Sequence, residues 1–269
     1  MKLKIDFLYE KVLTELLTKK NKTKKRIYVF YDSDLVNFNS AYIQSKLKYA
    51  KLFSVKLIIY DLNAYQIQEN HHFLSKLKQA NKDFLFFEFP LSKKHLDQNY
   101  FQYLTFQNDL DGINSHLFLN KKQENQIIYH PATINAILTL IKELDVNLND
   151  YRICIIGRSP YLGDYLYKLL NPKNNKINII HSQTKNPLRI IKESNFIISC
   201  VNKAHIFNSN ALSDNSYLID VTTEYINNKL CGSFLINKND ALNRNIKYTP
   251  VPGGIGKLTT LFLFLNYFK

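Results

Sequence analysis

The stretch YRICIIGRSPYLG, Tyr151 to Gly163, decides how the second half of the chain folds. An apolar run, Ile153, Cys154, Ile155 and Ile156, stops at Gly157, and Arg158 and Ser159 follow. Beyond them Tyr161, Leu162, Tyr165, Leu166, Leu169 and Leu170 recur at helical spacing. A buried strand, a tight turn and a helix are predicted. Such a turn presents free backbone N–H groups and the positive end of a helix, where an anion can sit. The glycine-rich dinucleotide fingerprint uses this device with three glycines, and here only Gly157 and Gly163 stand. On these residues alone an ordinary α/β turn reads equally well.

Outward from this turn the chain alternates. Helical spacing covers residues 3–20, strand character Arg26 to Tyr31, helix Ser40 to Phe53, strand Val55 to Tyr60, helix Tyr65 to Leu77 and strand Phe84 to Phe89. A short helix over Asp97 to Tyr103 and a polar loop over Asp109 to Gln126 follow. A helix starts at Pro131 with Thr133 as its cap and ends near Asp145. After the Gly157 turn come a strand Ile177 to Ile180, a helix Pro187 to Glu193, and strands Phe196 to Cys200 and Tyr217 to Val221. A Pro/Gly turn, Thr249 to Gly256, leads to a last helix, Lys257 to Phe268. The alternation predicts an α/β protein with parallel sheets and right-handed crossovers. A domain boundary is predicted near Ile128 to Pro131. No internal repeat is visible.

The 269 residues suffice for two ordinary domains. The formal charge of +14 raises the question of nucleic acid. The lysines are spread along the chain, clustered only over Lys19 to Lys25, and no aromatics interleave with them as a single-strand-binding face needs. No nucleic-acid partner is expected. No run reaches the roughly 18 apolar residues of a membrane span, so no membrane partner is expected either. The N-terminal stretch carries Asp6 and Glu10 and lacks a signal-peptide core. The three scattered cysteines argue for a reducing interior, hence a cytoplasmic protein. The seven histidines lack metal-ligand spacing, and no metal is expected.

Near the C-terminus stands YTPVPGGIGKLT, Tyr248 to Thr259. With YIQSK (Tyr42 to Lys46), DLDG (Asp109 to Gly112), IIGRS (Ile155 to Ser159) and HSQT (His181 to Thr184), it resembles the bifunctional methylenetetrahydrofolate dehydrogenase/methenyltetrahydrofolate cyclohydrolase family. The motifs stand in the family's order, from about Asn37 to the chain's end. The resemblance implies two domains flanking a cleft. Residues 1–130 would form a folate-binding catalytic domain, joined by the last helix, 257–269. Residues 131–256 would form a Rossmann-like NADP-binding domain. It also implies one-carbon folate chemistry, tetrahydrofolate derivatives as substrates, and a homodimer, for which Tyr217 to Val221 offers a strand-pairing segment.

Tyr42 and Lys46 are four apart on a helix and share a face. The resemblance sets them before the folate's bridge carbon, as catalytic residues, with Tyr42 also stacking on the substrate. A desolvated lysine can shuttle a proton. Asp111 is implied as the pterin anchor, a carboxylate that accepts two hydrogen bonds in a planar fork. Pro252, Gly253 and Gly254 are implied to close over the substrate. Gly157, Arg158, Ser159, Gly163, Ser182 and Thr222 are implied to hold the cofactor. NAD-preferring folds carry an acid at the end of the second strand. His181 and Ser182 stand there with Lys185 nearby, which favours NADP over NAD.

The chain departs from the pattern. The family's VQLPLP is FEFPLS here, Phe87 to Ser92, so that Glu88 replaces a glutamine expected to support Lys46. A carboxylate there favours the ammonium form of its neighbour and weakens the cyclohydrolase, or itself takes the proton from water. PATINA, Pro131 to Ala136, loses a proline and a glycine; Asn202 and Thr222 replace glycines; Lys257 replaces a proline. These losses leave open a dehydrogenase without cyclohydrolase activity, or a non-catalytic folate- or nucleotide-binding remnant.

Overall fold

The computed structural model describes residues 1–19, 25–114, 130–171, 176–227 and 229–269. Residues 115–126 of the expected polar loop lie outside these, as do Ile128 and Tyr129 at the expected boundary. The chain divides into two compact units. An N-terminal unit comprises Val12–Ala132 and Thr260–Lys269; a C-terminal unit comprises Met1–Lys11 and Thr133–Thr259.

The chain opens with α1 (Asp6–Lys19). In the N-terminal unit follow β1 (Ile27–Tyr31), α2 (Ala41–Phe53), β2 (Leu57–Asp61), α3 (Ile67–Ala80), β3 (Phe84–Phe87) and α4 (Lys93–Leu96). The strands form one parallel sheet in the order β2-β1-β3. Every side chain of β1 and β3 is buried, as near-continuous apolar runs require of strands covered on both faces. Phe30 stacks on Phe87 at 5.1 Å and Tyr60 on Phe73 at 4.9 Å. Burial of each such ring is worth about 1.5–3 kcal/mol. The helix expected over Asp97 to Tyr103 is displaced: α4 precedes it, and only a 3₁₀ turn, Tyr100–Tyr103, remains after Asn99 enters the left-handed region at φ +49°.

The C-terminal unit holds α5 (Ala132–Glu143), β4 (Ile153–Ile156), α6 (Gly163–Leu170), β5 (Ile177–Ile180), α7 (Pro187–Glu193), β6 (Phe196–Ser199), β7 (Phe207–Asn208), β8 (Tyr217–Asp220), β9 (Glu224–Ile226), β10 (Lys229–Cys231), β11 (Phe234–Leu235), α8 (Lys238–Asn243), β12 (Lys247–Tyr248) and α9 (Ile255–Tyr267). Its main sheet is parallel in the order β12-β8-β6-β4-β5. Beneath it Cys154, Ile156, Ile180, Ile191, Ile197, Leu218 and Phe234 share one core cluster. Two expectations are corrected here. Helix α5 does not begin with a Thr133 cap: Ala132 is its first residue, and the Ala132 N–H donates to the Asp111 carboxylate at 3.0 Å. Tyr217 to Val221 cannot pair strands with a partner, because β8 lies between β6 and β12. The β12 edge itself is met by the chain's first residues, Leu3 N–H donating to Tyr248 O at 2.8 Å.

The last turns of α9 belong to the N-terminal unit. Asn266 donates to the carbonyls of Leu110 at 3.1 Å and His130 at 3.2 Å, and Phe264 packs edge-on against Phe53 at 5.2 Å. Among the described residues no helix is long and apolar enough to cross a membrane. Cys154 and Cys200 are buried and Cys231 is half-buried; all three are free thiols. Burial pushes the Cys154 thiol up to about 12 and raises that of Cys200.

The turn after β4 is built on close approach. Gly157 has φ +105°, and a Cβ there would lie 2.9 Å from the Cys200 carbonyl oxygen. A Cβ on Gly163 would lie 2.0 Å from the Gly157 carbonyl oxygen, so α6 can begin there only without a side chain. Gly163→Ala should therefore lower the unfolding free energy by about 1–3 kcal/mol, as overpacking does. Urea denaturation checks this, and a loss below about 0.5 kcal/mol, the size of an ordinary surface substitution, would show that helix and turn are not in contact.

Candidate functional site

In the N-terminal unit the reactive groups gather where the buried strands end. Ser40 caps α2, its Oγ accepting from Ile43 N–H at 3.4 Å. The helix buries Ile43, Tyr49, Ala50 and Phe53, and Lys46 falls on that same inward face, only 6% exposed. Glu88 is the first residue past β3; its N–H donates to the Phe30 carbonyl at 2.8 Å and its side chain is 7% exposed. The two side chains meet: Lys46 Nζ lies 2.5 Å from Glu88 Oε2 and 4.7 Å from the centre of the Phe86 ring. Tyr42, half-buried, stands one turn before Lys46 on α2.

Asp111 is half-buried beyond the turn that follows β3 in space. Burial pushes its carboxyl up to about 7; the Ala132 N–H and Lys46 oppose that rise, while Asp109 and Glu88 add to it. Asp111 is thus within electrostatic reach of both members of the ion pair. Asp109, fully buried, accepts from Asn114 N–H at 2.8 Å and Ile113 N–H at 3.0 Å, and burial still pushes its carboxyl up to about 6. It holds the turn that presents Asp111.

Sequence reading passed over Asp32. It is wholly buried at the end of β1 and accepts from Asn63 Nδ2 at 2.6 Å, Ser92 N–H at 2.8 Å and Asp34 N–H at 3.1 Å. These donors outweigh burial and hold its carboxyl down at about 2. It ties the ends of β1 and β2 to the loop that carries Glu88 away from β3. An acid directly after the run IYVFY was the available signal.

In the C-terminal unit the crossovers from β4 run to β5 on one side and, through β5, to β6 on the other. The chain order reverses between β4 and β6, the switch point where open α/β sheets bind ligands. Gly157, Arg158 and Ser159 follow β4 at that point, and the latter two are exposed. Ser182, exposed, lies in the turn after β5. That turn is wound by His181 N–H to Thr184 Oγ1 at 2.9 Å and Gln183 N–H to His181 Nδ1 at 3.2 Å. Arg158 reaches it, Nη2 donating to Gln183 Oε1 at 3.2 Å.

Thr222 is buried, its hydroxyl donating to Val201 O at 2.8 Å and its N–H to Asp220 Oδ1 at 3.0 Å. Asp220 also accepts from Ser233 Oγ at 3.0 Å and Phe234 N–H at 3.2 Å, which ties β8 to β11. Burial raises its carboxyl above the usual range. Pro252 and Gly253 are exposed; Gly254 is buried, and a Cβ on it would stand 2.3 Å from the Pro250 carbonyl oxygen. Among the described residues no group of three His, Cys, Asp or Glu side chains could hold a metal ion.

A switch-point turn of this form would accept a dinucleotide: a side chain at Gly157 would fill the approach, and an exposed guanidinium stands beside it. Comparison with known proteins agrees. Residues 131–269 match the family model of the tetrahydrofolate dehydrogenase/cyclohydrolase NAD(P)-binding domain. The bifunctional protein FolD of Lactobacillus gasseri is 32% identical over 71% of this chain and 68% of its own length. In fold, the chain is similar to the bifunctional 5,10-methylenetetrahydrofolate dehydrogenase/cyclohydrolase of Thermoplasma acidophilum (TM-score 0.83, 20% identity, 100% of this chain and 97% of that one). It is similar too to the Trypanosoma brucei enzyme FolD, solved with NADP and an inhibitor (TM-score 0.83, 18% identity, 99% and 95%). With more than half its length under the family's own domain model, this chain belongs to the tetrahydrofolate dehydrogenase/cyclohydrolase family.

Proposed function

We propose that this chain oxidises 5,10-methylenetetrahydrofolate with NADP and hydrolyses the 5,10-methenyl product to 10-formyltetrahydrofolate, with hydrolysis slowed by Glu88. The observation that carries the reading is the buried ion pair of Lys46 and Glu88 at 2.5 Å, with Asp111 in electrostatic reach. NADP, when bound, supplies the hydride acceptor. Gly157, Arg158, Ser159, Gly163 and Ser182 would hold it, and Thr222 would hold the loop beside it through its bond to Val201. A cytoplasmic homodimer completes the proposal. The free thiols fit a reducing interior, and gel filtration tests the dimer by elution at twice the chain mass.

The chemistry assigned to the N-terminal unit follows from charge. In hydrolysis, water adds to the methenyl carbon and loses a proton; the bond to N5 then breaks as the remaining hydroxyl proton leaves and the formyl C=O forms, and N5 gains a proton. A lysine serves as the relay only in the interval when it is a free amine. Lys46 Nζ is engaged by the buried Glu88 carboxylate at 2.5 Å and so is held away from the attacking water. Hydride transfer needs the substrate held in place and no proton relay. Tyr42 would pack on the substrate, Asp111 would grip the pterin, and Pro252 to Gly254 would close over it.

Two outcomes are expected. Glu88→Gln should raise the cyclohydrolase rate about tenfold, equivalent to about 1.4 kcal/mol, and leave the dehydrogenase rate within about twofold. Methenyl absorbance followed with and without NADP separates the two steps, and a hydrolytic rate unchanged or lowered would refute the braking role. The second concerns pH. The pterin amino and ring N–H groups donate, so Asp111 must be ionised to accept both. With its carboxyl at about 7 in the free protein, folate affinity should rise about tenfold from pH 6 to pH 8 and level off above that. Calorimetric titration of a folate analogue measures it. An unchanged affinity, or a slope that survives in Asp111→Asn, would remove Asp111 from the anchor role.

A further inference from the structure

The corner where β4 and β5 end holds a contact, between Arg158 and Gln183, to which neither of their motifs gives a role. Arg158 Nη2 donates to Gln183 Oε1 at 3.2 Å, from the first residue past the Gly157 turn to the loop of the neighbouring strand. The strands are in register, Ile156 beside Ile180, so the two side chains start from adjacent strand ends. Gln183 is itself held: its N–H donates to His181 Nδ1 at 3.2 Å, and the loop is closed by Thr184 N–H to His181 O at 2.9 Å. Among the described residues no carboxylate pairs with Arg158. The guanidinium is therefore oriented by a neutral amide and keeps its whole charge.

We propose that Gln183 is a specificity-determining residue of this enzyme, setting its preference for a 2′-phosphorylated nicotinamide dinucleotide over the unphosphorylated one. This rests on the reading of the Arg158 corner as the cofactor site. The argument is one of charge and of donor direction. Dinucleotide folds that take the free ribose place a carboxylate near the end of the second strand to accept its hydroxyls. Gln183 lies in the loop beyond that strand end and has the shape of a glutamate without its charge. Its Oε1 faces Arg158, so its Nε2 faces away with two N–H donors, and no acceptor for them stands among the described residues. A phosphate at this corner would meet a forked guanidinium and an amide N–H together. A glutamate at 183 would instead pair with Arg158 as a charge-assisted bond, cancel its charge and repel the phosphate.

Calorimetric dissociation constants of NADP, NAD and 2′,5′-ADP test this on the full chain carrying Gln183→Glu, Gln183→Ala or Arg158→Ala. Position 183 is exposed, and a melting curve of each free variant checks the fold. The proposal expects Gln183→Glu to weaken NADP and 2′,5′-ADP at least tenfold and NAD less than threefold, with Gln183→Ala between that variant and wild type. If Arg158→Ala shifts the NADP to NAD ratio and Gln183→Glu leaves it within twofold, the arginine acts without Gln183 and the proposal falls. If Arg158→Ala also leaves the ratio unchanged, the 2′-phosphate is not read at this corner, and the NADP reading falls with it.

Discussion

Parallel strands buried on both faces can carry almost no polar side chain along their length. Chemistry is thereby pushed to their carboxyl ends, and in this chain it is found there. Asp32 follows β1, Glu88 follows β3, Gly157 and Arg158 follow β4, His181 to Gln183 follow β5, and Asp220 ends β8. Asp32, Glu88, Gly157, His181 and Asp220 each stand where an apolar strand gives way, and the others follow within two residues. Within each sheet, neighbouring strands set their ends side by side, so that side chains far apart in sequence, such as Arg158 and Gln183, meet without long loops.

The second constraint is the cost of putting charge among such strands. Lys46 and Glu88 are both nearly inaccessible, and each is tolerable only because of the other. Asp32 is tolerable because backbone and amide donors surround it, and Asp109 because two N–H groups face it. Asp111 has one N–H donor and a lysine farther off, and its carboxyl rises accordingly. The same kind of group thus serves as a permanent anion at Asp32 and as a titrating one at Asp111. Burial dominates at Asp111, where a single N–H offsets little of it, whereas at Asp32 several donors outweigh burial.

Long apolar runs and helical stripes were readable at once, and β5 and α7 have the very ends that periodicity sets. Apart from β8, the segment from Asn202 to Tyr248 was not readable. Strands of two or three residues such as β7, β9, β10 and β11 are too short to display a period. Helix α5 misled because its first N–H is met by Asp111, 21 residues away, and not by the local Thr133. The reactive pair was legible only through resemblance, since spacing alone puts Lys46 on a helix face without saying what faces it. Gln183 lay inside a quoted motif, yet its contact with Arg158 depends on two strand ends becoming neighbours.

The burial of two thiols has a practical side. Cys154 and Cys200 are sealed in the core, with their acidities suppressed, while Cys231 in β10 is half-buried. A maleimide dye would find one address on the native molecule, a single residue from Gly232. A spectroscopic reporter can therefore be attached to the C-terminal unit of the unaltered protein, with no cysteine engineered in or out.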